Sequence, residues 1–163
     1  MERERKFLIL KPPPGLARHP HKRIRQGYLA IPSPRDLRPV EVRVRDQAGK
    51  YTLTVKSGQG RSRAEIELPI PAKSSRQLWP LTQGRRVEKV RYRIPLRGGL
   101  TVELDVYRGK LRGLMTAEVE FDSLRQLRAF NPPDWFGPEV TARPEFANNH
   151  LATRTKPPRP PKS

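Results

Sequence analysis

The chain has no cysteine, which excludes a disulfide framework, a thiolate nucleophile and a cysteine-based zinc site. Histidine is scarce too, at 3. His19 and His21 lie in a basic loop between Arg18 and Lys22 with no carboxylate near in sequence, which reads as solvated histidines, not a ligand set. No apolar run approaches the roughly 18 residues a membrane span needs, and no apolar signal-like stretch follows the charged start. A soluble, cytoplasmic protein is expected. Acids are the other shortage: 16 Asp+Glu face 34 Lys+Arg, a formal net charge of +18. That excess points to a polyanionic partner, whether nucleic acid, a phosphate-rich small molecule or an acidic surface. At 163 residues the chain suits one domain with a real core.

What the sequence does contain is charge in alternation. In an extended strand, residues two apart share a face, so Glu2, Glu4 and Lys6 project together ahead of Phe7-Leu8-Ile9-Leu10. Taken alone, such a start is a solvated terminus. The same pattern returns along the chain. Val40, Val42 and Val44 alternate with Glu41, Arg43 and Arg45; Gln47-Ala48-Gly49-Lys50 supplies a turn; and Tyr51 to Lys56 completes a hairpin. Arg63, Glu65 and Glu67 oppose Ala64, Ile66 and Leu68, and residues 85–94 and 100–107 alternate around the Arg97-Gly98-Gly99 turn. Glu118 and Glu120 then oppose Ala117, Val119 and Phe121. A shorter strand is expected over 26–31, closed by the Pro32-Ser33-Pro34 loop. Short helices are expected over 72–82, over 122–130 with Asp122 as cap and Leu124, Leu127 and Phe130 inward, and over 144–152. Trp79 reads as a packing residue, and Trp135 and Phe136 as packing under the rim of a barrel. The tail over 153–163, rich in proline and basic residues, reads as disordered.

About eight largely antiparallel strands follow. An open sheet backed by helices accounts for charged outer faces in general. It does not account for mixed clusters of charge with so few Ser, Asn or Gln among them. Closing the sheet makes one face a lumen and leaves the apolar face to the helices. The face so defined carries the acids Glu2, Glu4, Glu65, Glu67, Asp105, Glu118 and Glu120 and the bases Lys6, Arg43, Arg45, Lys56, Arg63, Lys89 and Arg91. Crowded, partly dehydrated carboxylates take up protons unless a cation neutralises them. Oxygen-rich sites suit Mg²⁺ or Mn²⁺, and Arg and Lys suit phosphate oxygens. A metal-bound oligophosphate satisfies both sets.

In these motifs the chain resembles the CYTH superfamily of triphosphate tunnel metalloenzymes, in particular its short bacterial inorganic triphosphatase type. The resemblance rests on Glu2-x-Glu4-x-Lys6, Arg43-x-Arg45, Thr54-Val55-Lys56, Arg63-x-Glu65-x-Glu67, Glu88-Lys89-x-Arg91-Tyr92, Glu103-x-Asp105 and Glu118-x-Glu120. It continues through Trp135-Phe136-Gly137-x-Glu139-Val140-Thr141 and Phe146-x-Asn148-x-x-Leu151. It spans residues 2 to about 152, with Phe146 standing where tyrosine is commoner. The resemblance implies a mainly β, α+β fold, an eight-stranded antiparallel closed β-barrel over 1–152. It implies phosphate contacts from Lys6, Arg43, Arg45, Lys56, Arg63, Lys89 and Arg91, with Tyr28 near the tunnel mouth. Metal binding would fall to Glu2, Glu4, Asp105, Glu118 and Glu120, catalysis to Glu2, Glu4 and Glu120, and support on the acidic side to Glu65 and Glu67.

The activity implied is hydrolysis of inorganic triphosphate (tripolyphosphate) to pyrophosphate and phosphate with Mg²⁺ or Mn²⁺. Adenylate cyclase action and thiamine or nucleoside triphosphate hydrolysis stay open on the same fold. A non-catalytic binder of RNA or polyphosphate is the rival from another class, suggested by the basic residues of 11–25 and 153–163, which also suggest nonspecific polyanion contacts. No membrane partner is expected, and monomer and homodimer are equally open.

Overall fold

In a computed structural model of the protein, residues 3–31, 40–58 and 64–161 are described. The predicted site residues Glu2 and Arg63, and the expected Pro32-Ser33-Pro34 loop, lie outside the described residues. Eight strands form one sheet: β1 (Glu4–Leu8), β2 (His21–Tyr28), β3 (Val40–Gln47), β4 (Lys50–Ser57), β5 (Ala64–Pro69), β6 (Arg86–Pro95), β7 (Thr101–Tyr107) and β8 (Met115–Glu120). They are ordered β1-β8-β7-β6-β2-β3-β4-β5 and every pairing is antiparallel. The alternation that marked these strands in the sequence sets their two faces. Val102 opposite Val119 and Leu104 opposite Ala117 point outward, while Glu103 opposite Glu118 and Asp105 opposite Thr116 point inward.

The strand expected over 26–31 begins earlier and ends at Tyr28. The β3–β4 hairpin turns through Ala48 (φ 52) and Gly49 (φ 85), both in the left-handed region that a two-residue connection of right-twisted strands requires. Gly27 permits a close approach: a Cβ there would lie 2.4 Å from Thr82 Oγ1, in the 3-10 turn Trp79–Thr82 that follows helix α1 (Ala72–Leu78).

The expectation of a closed barrel is corrected. Among the described residues β1 and β5 share no ladder. The outer edge of β1 is already occupied, with Leu8 N–H donating to Pro138 O (2.9 Å), Gly137 N–H to Leu8 O (2.8 Å) and Val140 N–H to Lys6 O (2.8 Å). These bonds use the groups that β5 would need, and β5 is exposed at all six of its residues. The sheet curls round without joining: Glu4 and Lys6 at one edge and Glu65 and Glu67 at the other line the same space.

Apolar side chains pack in two places. Outside the β1-β8-β7-β6 wall, Ile9, Ile94, Val102, Leu104, Ala117, Val119 and Phe121 are covered by Leu127, Phe130, Trp135 and Phe136. The cover comes from helix α2 (Leu124–Ala129) and the segment after it. Phe7 and Phe136 are tilted against each other at 4.9 Å. Two details of α2 differ from expectation. Ser123, not Asp122, is the cap, its Oγ accepting from Gln126 N–H at 3.1 Å, and Leu124 is exposed because the cover is completed by Leu127 and Phe130. The second cluster, Leu8, Tyr28, Val87, Tyr107, Leu111, Val140, Phe146, Leu151 and Ala152, plugs one end of the curled sheet. It is built on the 3-10 turn Pro144–Phe146 and helix α3 (Asn148–Thr153), the two pieces of the helix expected over 144–152. Past Arg154 there is no helix or strand to residue 161, and Pro158 is buried. No helix among the described residues is long and apolar enough to cross a membrane.

Candidate functional site

The inward face encloses a cavity of about 650 Å³. Of the predicted residues, Glu4, Lys6, Tyr28, Arg43, Arg45 and Lys56 line it, as do Glu65, Glu67, Arg91, Glu118 and Glu120. Register places them by rows. Glu4 faces Glu120 and Lys6 faces Glu118 across β1–β8, Tyr28 faces Arg43 across β2–β3, and Lys56 faces Glu65 across β4–β5.

Two predicted residues are not at the cavity surface. Lys89 and Asp105 are fully buried beneath it. Lys89 Nζ donates to Asp105 Oδ2 at 2.5 Å, and Arg91 grips the same carboxylate with two bonds, Nε to Oδ1 and Nη2 to Oδ2, both 2.7 Å. Arg91 also reaches Glu103 and Glu118 (3.0 Å), and Lys6 Nζ meets Glu118 at 2.8 Å. Burial raises the cost of charge on Asp105, but Arg91 and Lys89 hold its carboxyl below the usual range. Glu118 is likewise held down, against burial, by Lys6 and Arg91. Burial, with Arg91 adding repulsion, brings Lys89 down to about 8 against the pull of Asp105 and Glu118. With their oxygens so engaged, Asp105 and Glu118 neutralise cations within the wall.

The opposite wall is less satisfied. Arg43 Nη2 donates to Thr54 Oγ1 (3.1 Å), which donates on to Glu67 Oε2 (3.1 Å), while Arg43 itself is 3.6 Å from Glu67. Lys56 and Glu65 are 3.1 Å apart. The Nε atoms of Arg43 and Arg45 are buried without a hydrogen-bond partner. Burial, with Arg43 and Arg91 adding repulsion, brings Arg45 down to about 10, so it stays charged at neutral pH. Tyr28 accepts from Gln26 Nε2 at 2.8 Å, and burial pushes its hydroxyl well above the ordinary phenol range. It is a neutral hydroxyl opposite Arg43.

Sequence reasoning missed Arg3, Glu41, Glu103, Asn148 and Asn149, which also line the cavity. Glu41 and Glu103 had a signal, since each shares a face with residues already chosen: Glu41 with Arg43 and Arg45, and Glu103 with Asp105. The asparagines come from α3, not from a strand, so the period-two rule had nothing to say of them. Asn148 Oδ1 accepts from Tyr107 OH at 3.0 Å.

Among the described residues no three acidic or histidine side chains converge as a ready-made metal set. Mg²⁺ needs less: one or two carboxylates together with substrate phosphates and waters suffice. Glu4 and Glu120, opposite each other and both on the cavity, fit that donor set.

Fold and site together define an antiparallel β protein whose curled, unclosed sheet walls a cavity lined by cations and carboxylates. No protein-family model matches the chain. An inorganic triphosphatase of Nitrosomonas europaea is 46% identical over 152 residues, which is 93% of this chain and 96% of that protein. A crystal structure of an inorganic triphosphatase matches with a TM-score of 0.73 at 43% identity, covering 94% of this chain and 95% of that one. A putative adenylyl cyclase from Hippeastrum, described as having a dominant triphosphatase activity, has a TM-score of 0.54 at 16% identity, covering 78% and 83%; that likeness is one of fold alone. The chain belongs to the CYTH superfamily of triphosphate tunnel metalloenzymes, in its short bacterial inorganic triphosphatase type.

Proposed function

We propose that the chain hydrolyses inorganic triphosphate to pyrophosphate and phosphate, with Mg²⁺ or Mn²⁺, inside the cavity. The observation that carries this is a single cavity that brings the cations Arg43, Arg45 and Lys56, set among Glu41, Glu65 and Glu67, together with the carboxylate pair Glu4 and Glu120. Of the described residues lining the cavity, Phe121, Tyr28 and Ala147 alone are apolar or aromatic, which offers little to a nucleobase or a thiamine ring and favours a bare polyphosphate. The relatives' activity agrees with this reading.

Phosphoryl transfer needs little covalent help, so positioning and charge neutralisation dominate. Arg43 and Arg45, with buried Nε atoms lacking partners, bind phosphate oxygens, joined by Lys56 and the Tyr28 hydroxyl. Lys6 and Arg91, already neutralised by Glu118 and Asp105, set the position of the chain's terminal phosphate. Glu4 and Glu120 would hold the divalent ion, which would offset phosphate charge and acidify water. Glu4 and Glu120 orient a water for in-line attack on the terminal phosphorus, and Glu120 accepts its proton. The new P–O bond forms as the anhydride bond breaks, and pyrophosphate leaves.

The test offers tripolyphosphate, ATP and thiamine triphosphate in parallel, each with Mg²⁺ and with Mn²⁺, and measures the products. Pyrophosphate and phosphate from tripolyphosphate, at a rate above that on the other two, is the expected result. An absence of hydrolysis with either ion, or a preference for ATP yielding cyclic AMP, overturns the proposal.

A further inference from the structure

On the outer face of β2 and β6 lies a second concavity of about 440 Å³ that shares no lining residue with the first. It is walled by Arg23 and Arg25 from β2, Arg86 from β6, and Arg108 and Lys110 from the β7–β8 connection, with Trp79 at its base. Among the described residues the one acid on its wall, Glu88, already accepts from Arg23 Nη2 at 2.6 Å.

These cations are not scattered over a solvated surface. The guanidinium carbons of Arg25 and Arg86 sit over the Trp79 ring at 4.8 and 4.6 Å. Arg86 is fixed there by Nε donating to Thr82 Oγ1 (3.0 Å) and Nη2 to Trp79 O (2.7 Å). Gathering like charges is unfavourable, and cation–π contact offsets only part of that repulsion. An anion carrying several charges supplies the rest. The indole is covered by guanidinium groups and so does not offer an open plate for a nucleobase; phosphate oxygens suit the forked donors left around it.

The geometry points to a second oligophosphate-binding site, on the outside of the sheet and separate from the hydrolytic cavity. It holds inorganic phosphate chains through Arg23, Arg25, Arg86 and Arg108, and it takes from the proposed function only the choice of probe.

The chain has 2 tryptophans, so Trp135→Phe in the full-length protein leaves Trp79 as sole reporter. Tripolyphosphate is titrated with a chelator present and Trp79 emission followed. The expected result is a saturable change that persists in Arg45→Gln, weakens about tenfold or more in Arg23→Gln/Arg108→Gln, and is unmoved in Arg97→Gln/Arg128→Gln, exposed arginines elsewhere. Arg23 and Arg108 are exposed, so their loss leaves the fold intact; Lys110 is spared because its Nζ holds Ala152 O at 2.5 Å. A flat titration, a signal lost with Arg45→Gln, or equal weakening in the Arg97/Arg128 control overturns the inference. Phosphate release is measured on the Trp135→Phe parent, its cavity intact, with metal restored. Hydrolysis intact with outer binding absent sinks this inference alone, and outer binding present without hydrolysis in that parent supports it while sinking the proposed function.

Discussion

The wall made by β6, β7, β8 and β1 and the wall made by β3, β4 and β5 meet one cavity with the same kinds of side chain, differently engaged. On the first, Asp105 and Glu118 consume Lys89, Arg91 and Lys6, and the outer face is sealed by Phe121, Phe130 and their neighbours. On the second, Arg43 and Arg45 keep buried donors without partners, and β5 is exposed at every residue. The difference teaches how a protein keeps a charged lumen usable. If every cation were paired, no donor would remain for an anion; if none were, repulsion would open the sheet. One wall pairs its buried Lys89 and Arg91 with Asp105 and fixes the geometry, while the other keeps buried Nε donors on Arg43 and Arg45 without hydrogen-bond partners.

The sharpest break in this comparison is Asp105→Asn. It leaves Lys89 and Arg91 buried with their shared acid gone, and should cost about 3–5 kcal/mol, read by denaturant unfolding at neutral pH. The sign with pH follows from the same pair of acids. Asp105 and Glu118 both titrate below the ordinary carboxylate range in the folded protein, so their contribution is complete above the unfolded pKa of about 4 and is lost as pH falls further. The melting temperature should therefore hold from neutral pH to about 5 and fall below about 4, with the gap between wild type and Asp105→Asn narrowing there. A gap that stays constant to low pH would mean that the first wall is not held by charge.

Glu120→Gln comes next and acts on turnover. It keeps size and removes the acceptor, so tripolyphosphate binding should survive while kcat drops about 10²–10³-fold, measured by phosphate release beside equilibrium binding. Arg45→Met then inverts the Asp105 result on the other wall. Arg45 is charged at a cost of burial and repulsion, so Met should leave stability unchanged or raised while weakening triphosphate binding about 10–100-fold. A loss of stability as large as that of Asp105→Asn would erase the distinction between the walls.

Period-two alternation was enough to place eight strands and most of the lumen, because inward and outward faces of a strand are fixed by parity alone. Parity cannot report depth along the lumen. Asp105 and Glu103 have the same parity, yet Asp105 sits under Arg91 and Glu103 at the cavity surface, since only the packing of Tyr107 and α3 decides which end is plugged. Nor can parity report closure. The bonds that cap β1 come from residues 137–140, a segment with no strand pattern of its own. Arg3, just ahead of β1, has the parity of the outward-facing Arg5 and still lines the cavity, although its carbonyl accepts from Phe121 N–H at 2.7 Å. Its Nη1 donates to Asp122 O beyond the end of β8.

The smallest expected effect probes the backbone of the less satisfied wall. Ala48 holds φ 52 in the β3–β4 turn, where a Cβ crowds the following carbonyl, and Gly49 N–H is already anchored by Asp46 Oδ1 at 2.9 Å. Ala48→Asn creates the Asn-Gly pair favoured in this turn without adding the chain entropy of a second glycine, and should stabilise the protein by about 0.5–1 kcal/mol. Gly49→Ala, at φ 85, should destabilise it by about the same amount or more. Both are read by thermal melting, and tripolyphosphate affinity should not change in either, because the turn holds β3 and β4 together without touching the cavity. If Ala48→Asn tightened or weakened binding, the second wall would be acting through strain in its backbone instead of through the open donors of Arg43 and Arg45.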